Sequence, residues 1–244
     1  TTDEVAVLDA TDVKGLTTGQ IGVLSTTQLN NLTTDAVTGL SSGQLSALTS
    51  TLVAGVSSTQ VSVLGSGQVS GLTSSALQAL STTQVSSVVS GAVAGFTTAQ
   101  LRALGSAQLG ALTTDVVNVL SASQIGALAT GALAGLTTDA LNVLTTSDVQ
   151  GLTSGQVAAL SGGQLSALLT DTLVTLGTGL VRALSSSQVS ALSTDTVSAL
   201  TSTQIRALTT AAVRGLTTDG VAVLDATDVK GLTTGQIGVC LLYT

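Results

Sequence analysis

The side chains that could do chemistry are few enough to take in turn. "DATD" at 9–12, repeated at 225–228, sets Asp9 three residues before Asp12, near enough for two carboxylates to share a cation. The stretch lacks the length and the glycine of a calcium loop. It reads better as a helix start, where carboxylates cap backbone N–H groups. Cys240 is the single thiol, so it can make no internal disulfide and no metal cluster. It stands where Leu stands elsewhere in the chain and reads as a Leu substitute, an intermolecular disulfide being the minor alternative. "NLT" at 31–33 spells an N-glycosylation sequon. The many Ser and Thr hydroxyls have no His to activate them. Lys14, Arg102, Arg182, Arg206, Arg214 and Lys230 read as solvated helix ends and not as a ligand patch. No catalytic, cofactor-binding or metal-binding residue is assigned, no cofactor and no small-molecule substrate is expected, and the chain is read as no enzyme.

What must position these residues is a repeat of eight. Cut from Thr1, the chain gives thirty consecutive octads without insertion or deletion. Position 5 is Val, Leu or Ile throughout, and position 8 is Leu except at Val56, Val88, Phe96 and Cys240. Position 4 is Gln in fourteen octads, and positions 1 and 2 are mostly Thr or Ser. A strand would throw positions 5 and 8 to opposite faces. An unbroken helix would let the apolar stripe drift by roughly 80° per octad. The pattern therefore predicts a short helix, about one and a half turns, that restarts in every octad.

"TTAQLRAL" at 97–104 shows how. With Thr97 as N-cap, Gln100 completes an S/T-x-x-E/Q capping box, and Phe96 and Leu101 take the two positions of a hydrophobic staple. Gly at position 7, as in Gly15, Gly71 and Gly135, suits a left-handed helix exit. Charge agrees with this phase. All thirteen acidic residues fall at positions 1, 3 or 4 and all six basic ones at position 6, as the helix dipole favours. Helices this short do not survive alone, so each must bury its face against neighbours in a stack. The expected fold is an all-α solenoid over residues 1–239, with 240–244 ("CLLYT") an irregular remnant.

Composition bounds what such a stack can do. A net charge of −7 with six basic residues leaves little to neutralise phosphates, so no nucleic-acid partner is expected. Ser, Thr or Gly interrupts the apolar residues too often for a membrane span. The chain begins without Met or a signal peptide, which reads as a processed chain or a piece of a longer one. Position 4 carries Ala36, Leu52, Ala76, Ala92, Val116 and Ala132 at alternating steps of two and three octads. That spacing predicts about two and a half octads per superhelical turn, or a 40-residue unit of two turns. Residues 217–239 copy 1–23 with only Glu4 changed to Gly220, as if the chain were slightly more than one unit of a longer tandem array.

Blocks such as "LTTAQLRAL" and "LTSTQIRAL" are similar to octapeptide-type runs in very large repetitive proteins, secreted or surface-bound, of Gram-negative bacteria, some described as adhesin-like. The resemblance covers essentially all of 1–239 and implies an extracellular or cell-surface location. The opening of TAL-effector repeats looks like it too, but those repeats are longer and carry a base-reading loop absent here. The expected function is structural: self-association into a filament, tube or matrix fibre. A stalk of a giant adhesin is the alternative, and an ice-binding array of paired Thr a third reading that requires outward-facing hydroxyls.

Overall fold

The structure, a computed structural model, describes residues 1–168 and 170–240. Among the described residues there is no strand; the chain is a succession of helices of four to seven residues, one per octad. Each begins at position 2, as in Thr98–Ala103, Ser106–Gly110 and Thr114–Asn118. Two octads close as 3-10 helices instead, Ser90–Gly95 and Thr130–Gly135. The last helix, Thr234–Cys240, takes in the first residue of the expected remnant. The side chain of Cys240 and residues 241–244 lie outside the described residues, and with them the reading of Cys240 as a Leu substitute.

Restarting costs one extended link per octad. Leu104 leaves the helix Thr98–Ala103 at φ −65°, ψ 134°, and the next N-cap, Gly105, is also extended. No described residue, glycine included, has positive φ. The left-handed exit expected at position 7 is therefore absent: Gly15 ends its helix at φ −75°, ψ −16°, still right-handed. The chain turns instead by passing through the extended region at positions 8 and 1, which any residue can adopt.

The chain forms two compact units, Thr1–Gly135 and Leu136–Thr244. Within the first, each helix packs on the one three octads further on: Thr2–Ala6 on Thr26–Asn31, Ala10–Lys14 on Thr34–Gly39, Ser106–Gly110 on Thr130–Gly135. The second follows the same rule, with Ser202–Ala207 packed on Ala226–Gly231 and Thr170–Leu173 on Thr194–Ala199. The packing interval is thus 24 residues, not the twenty expected from the position-4 pattern. That pattern failed as an angular marker because apolar and polar residues are buried alike at position 4: Ala76 and Ala92, but equally Gln84 and Gln100.

The core is thin and aliphatic. Position 5 supplies Ile21, Leu77, Leu109 and Val181, and position 8 Leu104, Leu144 and Leu184, all buried. Phe96 and Leu101, the expected staple pair, are both buried. Burying two such side chains per octad removes most of their apolar area from water, but only because a neighbouring turn closes over them.

Candidate functional site

The capping chemistry appears as the sequence predicts. Thr97 Oγ1 accepts from Gln100 N at 3.2 Å, and Gln100 Oε1 accepts from Thr97 N at 2.8 Å. The same reciprocal box is built by Ser25 with Gln28, Ser121 with Gln124 and Thr201 with Gln204. Gly65 and Gly105, which have no side chain, keep the half in which glutamine accepts from the N-cap N–H.

The other end of the glutamine was not foreseen. Gln100 Nε2 donates to the carbonyls of Val69 at 2.7 Å and Leu72 at 2.6 Å, residues 31 and 28 positions earlier. Gln44 does so to Val13 and Leu16, Gln60 to Leu29 and Leu32, and Gln188 to Val157 and Leu160. Gln204 shifts by one residue, taking Val174 and Leu176. These acceptors lie at the end of an earlier helix, where the position-5 carbonyl also takes the N–H of position 8, as Val69 O takes Leu72 N at 3.1 Å, and the position-8 carbonyl lies beyond the helix. Each buried glutamine therefore starts its own helix and ties off the end of an earlier one. The signal for this was present in the sequence. A capping box accepts Glu or Gln, yet position 4 is Gln in fourteen octads and Glu only at Glu4, and a carboxylate has no N–H to donate.

Position 7 glycines make a second recurring contact. A Cβ built on Gly95 would lie 1.8 Å from the carbonyl oxygen of Ser66, on Gly135 1.8 Å from that of Ser106, and on Gly71 2.2 Å from that of Ser42. The neighbouring turn's backbone passes where a side chain would stand. Close approach, not backbone conformation, is what these positions require.

The reactive-looking groups are used in the same structural work. Asp9 accepts from Thr11 N at 2.7 Å and Asp12 N at 2.9 Å, while Asp12 accepts from Asp9 N at 3.1 Å. Those bonds hold the Asp9 carboxyl below the ordinary aspartate range. Glu4 is lowered likewise by its hydrogen bond to the Thr1 amino group and the charge there. In the sequon, Asn31 is exposed, donates to Thr27 O at 2.8 Å, and Thr33 Oγ1 accepts from Ala36 N. The N-cap hydroxyls that an ice-binding lattice would need outward are engaged: Thr97 Oγ1 both accepts from Gln100 N and donates to Gln100 Oε1 at 3.0 Å.

The described residues also form two concavities. One, in the first unit, is a cavity of about 40 Å³ walled by side chains such as Leu40, Leu48, Leu64, Leu80 and Phe96; walls of this kind keep so small a void dry. The other, in the second unit, is an open notch of about 520 Å³ beside Gln150, Ser154, Thr175, Gly177 and Leu180. No described helix is long and apolar enough to cross a membrane.

Short helices repeated in register, their turns joined by the same buried amide, define the class: an α-helical tandem-repeat protein. Three segments, residues 5–42, 93–130 and 197–234, match the family model of the ALTTAQ repeat. None of the curated proteins matches the chain.

Proposed function

We propose that this is a structural, non-enzymatic repeat protein that associates with itself into an extracellular filament, tube or matrix fibre. The observation that carries the reading is the glutamine row. Buried polar side chains from Gln44 to Gln236 are spent on joining turn to turn by one recurring pair of bonds. Such a device has no intrinsic length and works in nearest-neighbour steps. Its Asp, Ser and Thr side chains at helix starts serve as caps, which leaves mechanical extension as the work the architecture performs. The resemblance of its octads to repetitive surface proteins supports the outside of a cell as its place.

Negative-stain microscopy of purified protein across a range of concentrations tests this. Filaments or tubes of uniform width are expected; compact single particles at every concentration overturn the reading. A parent gene in which the octads lead to a separate terminal domain would instead favour the adhesin stalk.

A further inference from the structure

Octad 177–184 ("GTGLVRAL") is missing both parts of the fastening that the boxed octads share. Its N-cap, Gly177, has no hydroxyl and makes no side-chain cap bond. Position 4 is Leu180, whose side chain can neither accept from the N-cap N–H nor donate to an earlier turn. The carbonyls 31 and 28 positions before it, those of Val149 and Leu152, therefore receive no amide from this octad. Leu180 N–H turns instead to Gly177 O at 2.9 Å, and the helix Thr178–Val181 is only four residues long. Where Gln100 is 2% exposed, its counterpart Leu180 is half-buried. With Leu152, Gly177 and Gly179 it borders the open notch of about 520 Å³. A Cβ built on Gly177 or Gly179 would meet nothing within 4 Å, so these glycines only add freedom to the opened octad. What still holds it is Val181 and Leu184, both buried. Octads 89–96, 129–136 and 169–176 also lack a hydroxyl at position 1 and glutamine at position 4, but none of them holds a basic residue. Octad 177–184 holds Arg182, which is exposed. The other three arginines stand in capped octads: Thr97 caps the helix of Arg102, Thr201 that of Arg206 and Thr209 that of Arg214.

We propose that 177–184 is an octad at which the second unit opens locally, and that Arg182–Ala183 is the bond at which an arginine-specific protease severs the folded chain. A protease must draw several residues of extended backbone into its cleft. A helix is therefore cut only while it is open, and the rate follows the open population. Capped octads keep that population low at Arg102, Arg206 and Arg214, while the octad of Arg182 has neither hydroxyl nor amide to hold it shut. In the cut, the oxygen of a water molecule bonds to the Arg182 carbonyl carbon and the bond from that carbon to Ala183 N breaks. Ala183 leaves as a free amine with a proton from the water, and Arg182 is left as a carboxylate. The site does not depend on association between copies of the chain.

Limited digestion of the folded full chain with a purified arginine-specific endoprotease tests it, the fragments being followed in time by mass spectrometry. The first cut is expected after Arg182, giving 1–182 and 183–244, about ten times faster or more than after Arg102, Arg206 or Arg214. Gly177→Ser with Leu180→Gln installs the box and the amide, and should slow the cut after Arg182 about tenfold or more. Thr97→Gly with Gln100→Leu moves the same defect to 97–104 and should bring the cut after Arg102 to a rate comparable with that after Arg182. Arg182→Gln removes the cut but should leave rapid amide hydrogen exchange over 178–184, which separates opening from recognition by the protease. A first cut after another arginine, simultaneous cutting at all four, or a Gly177→Ser, Leu180→Gln chain cut as fast as the wild type would each overturn the proposal. So would wild-type exchange over 178–184 no faster than over 98–104. Circular dichroism reports whether each variant is folded, and the wild-type digest and exchange decide the matter if one is not.

Discussion

A primary amide has two donors and two acceptor sites, and Gln100 fills all four: Thr97 N–H and O–H on its oxygen, Val69 and Leu72 carbonyls on its nitrogen. Gln20 makes the same box with Thr17 but is exposed. The two glutamines thus separate the roles. Gln20→Ala should cost under about 1 kcal/mol, the loss of a cap. Gln100→Ala should cost about 2–4 kcal/mol, because the Leu72 carbonyl loses the amide as its donor while that of Val69 keeps only the Leu72 N–H. Native-state hydrogen exchange around Val69–Leu72 and Thr97–Leu101 checks this locally; equal losses at both sites would reduce the amide to a cap. Asp9 makes a pH prediction. Its carboxyl is held low in the folded chain, so its contribution is present above the ordinary aspartate pKa and fades as pH falls through the lower folded value. An NMR titration should place its midpoint below that of a free aspartate, with the helix Ala10–Lys14 fraying on the acid side. The Thr–Gln box was legible because both partners lie within four residues. The bonds to Val69 and Leu72 were not, since no local pattern says which backbone will arrive from 28 residues away.

An element of five residues is held less by its own ladder than by what closes around it. Position 7 shows the difference between a conformational and a packing requirement. Gly95→Ala should destabilise by about 1–3 kcal/mol, since its Cβ would overlap the Ser66 backbone. Gly67, inside the helix Ser66–Val69 with nothing within 4 Å of a built Cβ, should become more stable as Ala by about 0.4–1 kcal/mol. Thermal unfolding of the pair of variants in parallel checks the sign of each. Sequence reasoning placed glycine correctly at the helix end and gave the wrong cause. Left-handed termination and close approach both select glycine there, and only the neighbouring turn distinguishes them. Helix starts were more transparent. Ser or Thr at position 1 followed by Gln at position 4, or Asp at both as in Asp9 and Asp12, fixes the phase of the octad, and the acids and bases on either side of it agree.

At the scale of the molecule, the solenoid was legible and its winding was not. Thirty octads in phase demand stacking, but the interval of 24 residues follows from how closely position 7 meets position 2 of an earlier octad, as Gly71 meets Ser42. Residue type at position 4 carries no angle, because Ala76 and Gln84 are buried alike. The charges carried the interval all along, in Asp171, Asp195 and Asp219 and in Arg182, Arg206 and Lys230, although it becomes readable only once the turn is known.

The glutamine pairs also determine how such a chain responds to tension. In a sandwich of long strands, many bonds resist a pull together and fail together. Here an octad such as 97–104 is fastened to earlier turns by two amide bonds and two aliphatic side chains, and one without glutamine by its aliphatic side chains, so a load drawn along the chain meets one small fastening after another. Each release feeds out about 25 Å of contour, and each can close again when slack returns. Stretched in optical tweezers, the protein should yield along a low plateau with small reversible steps, and a single tall rupture would show that its octads give way together. A fibre woven from it would be a shock absorber.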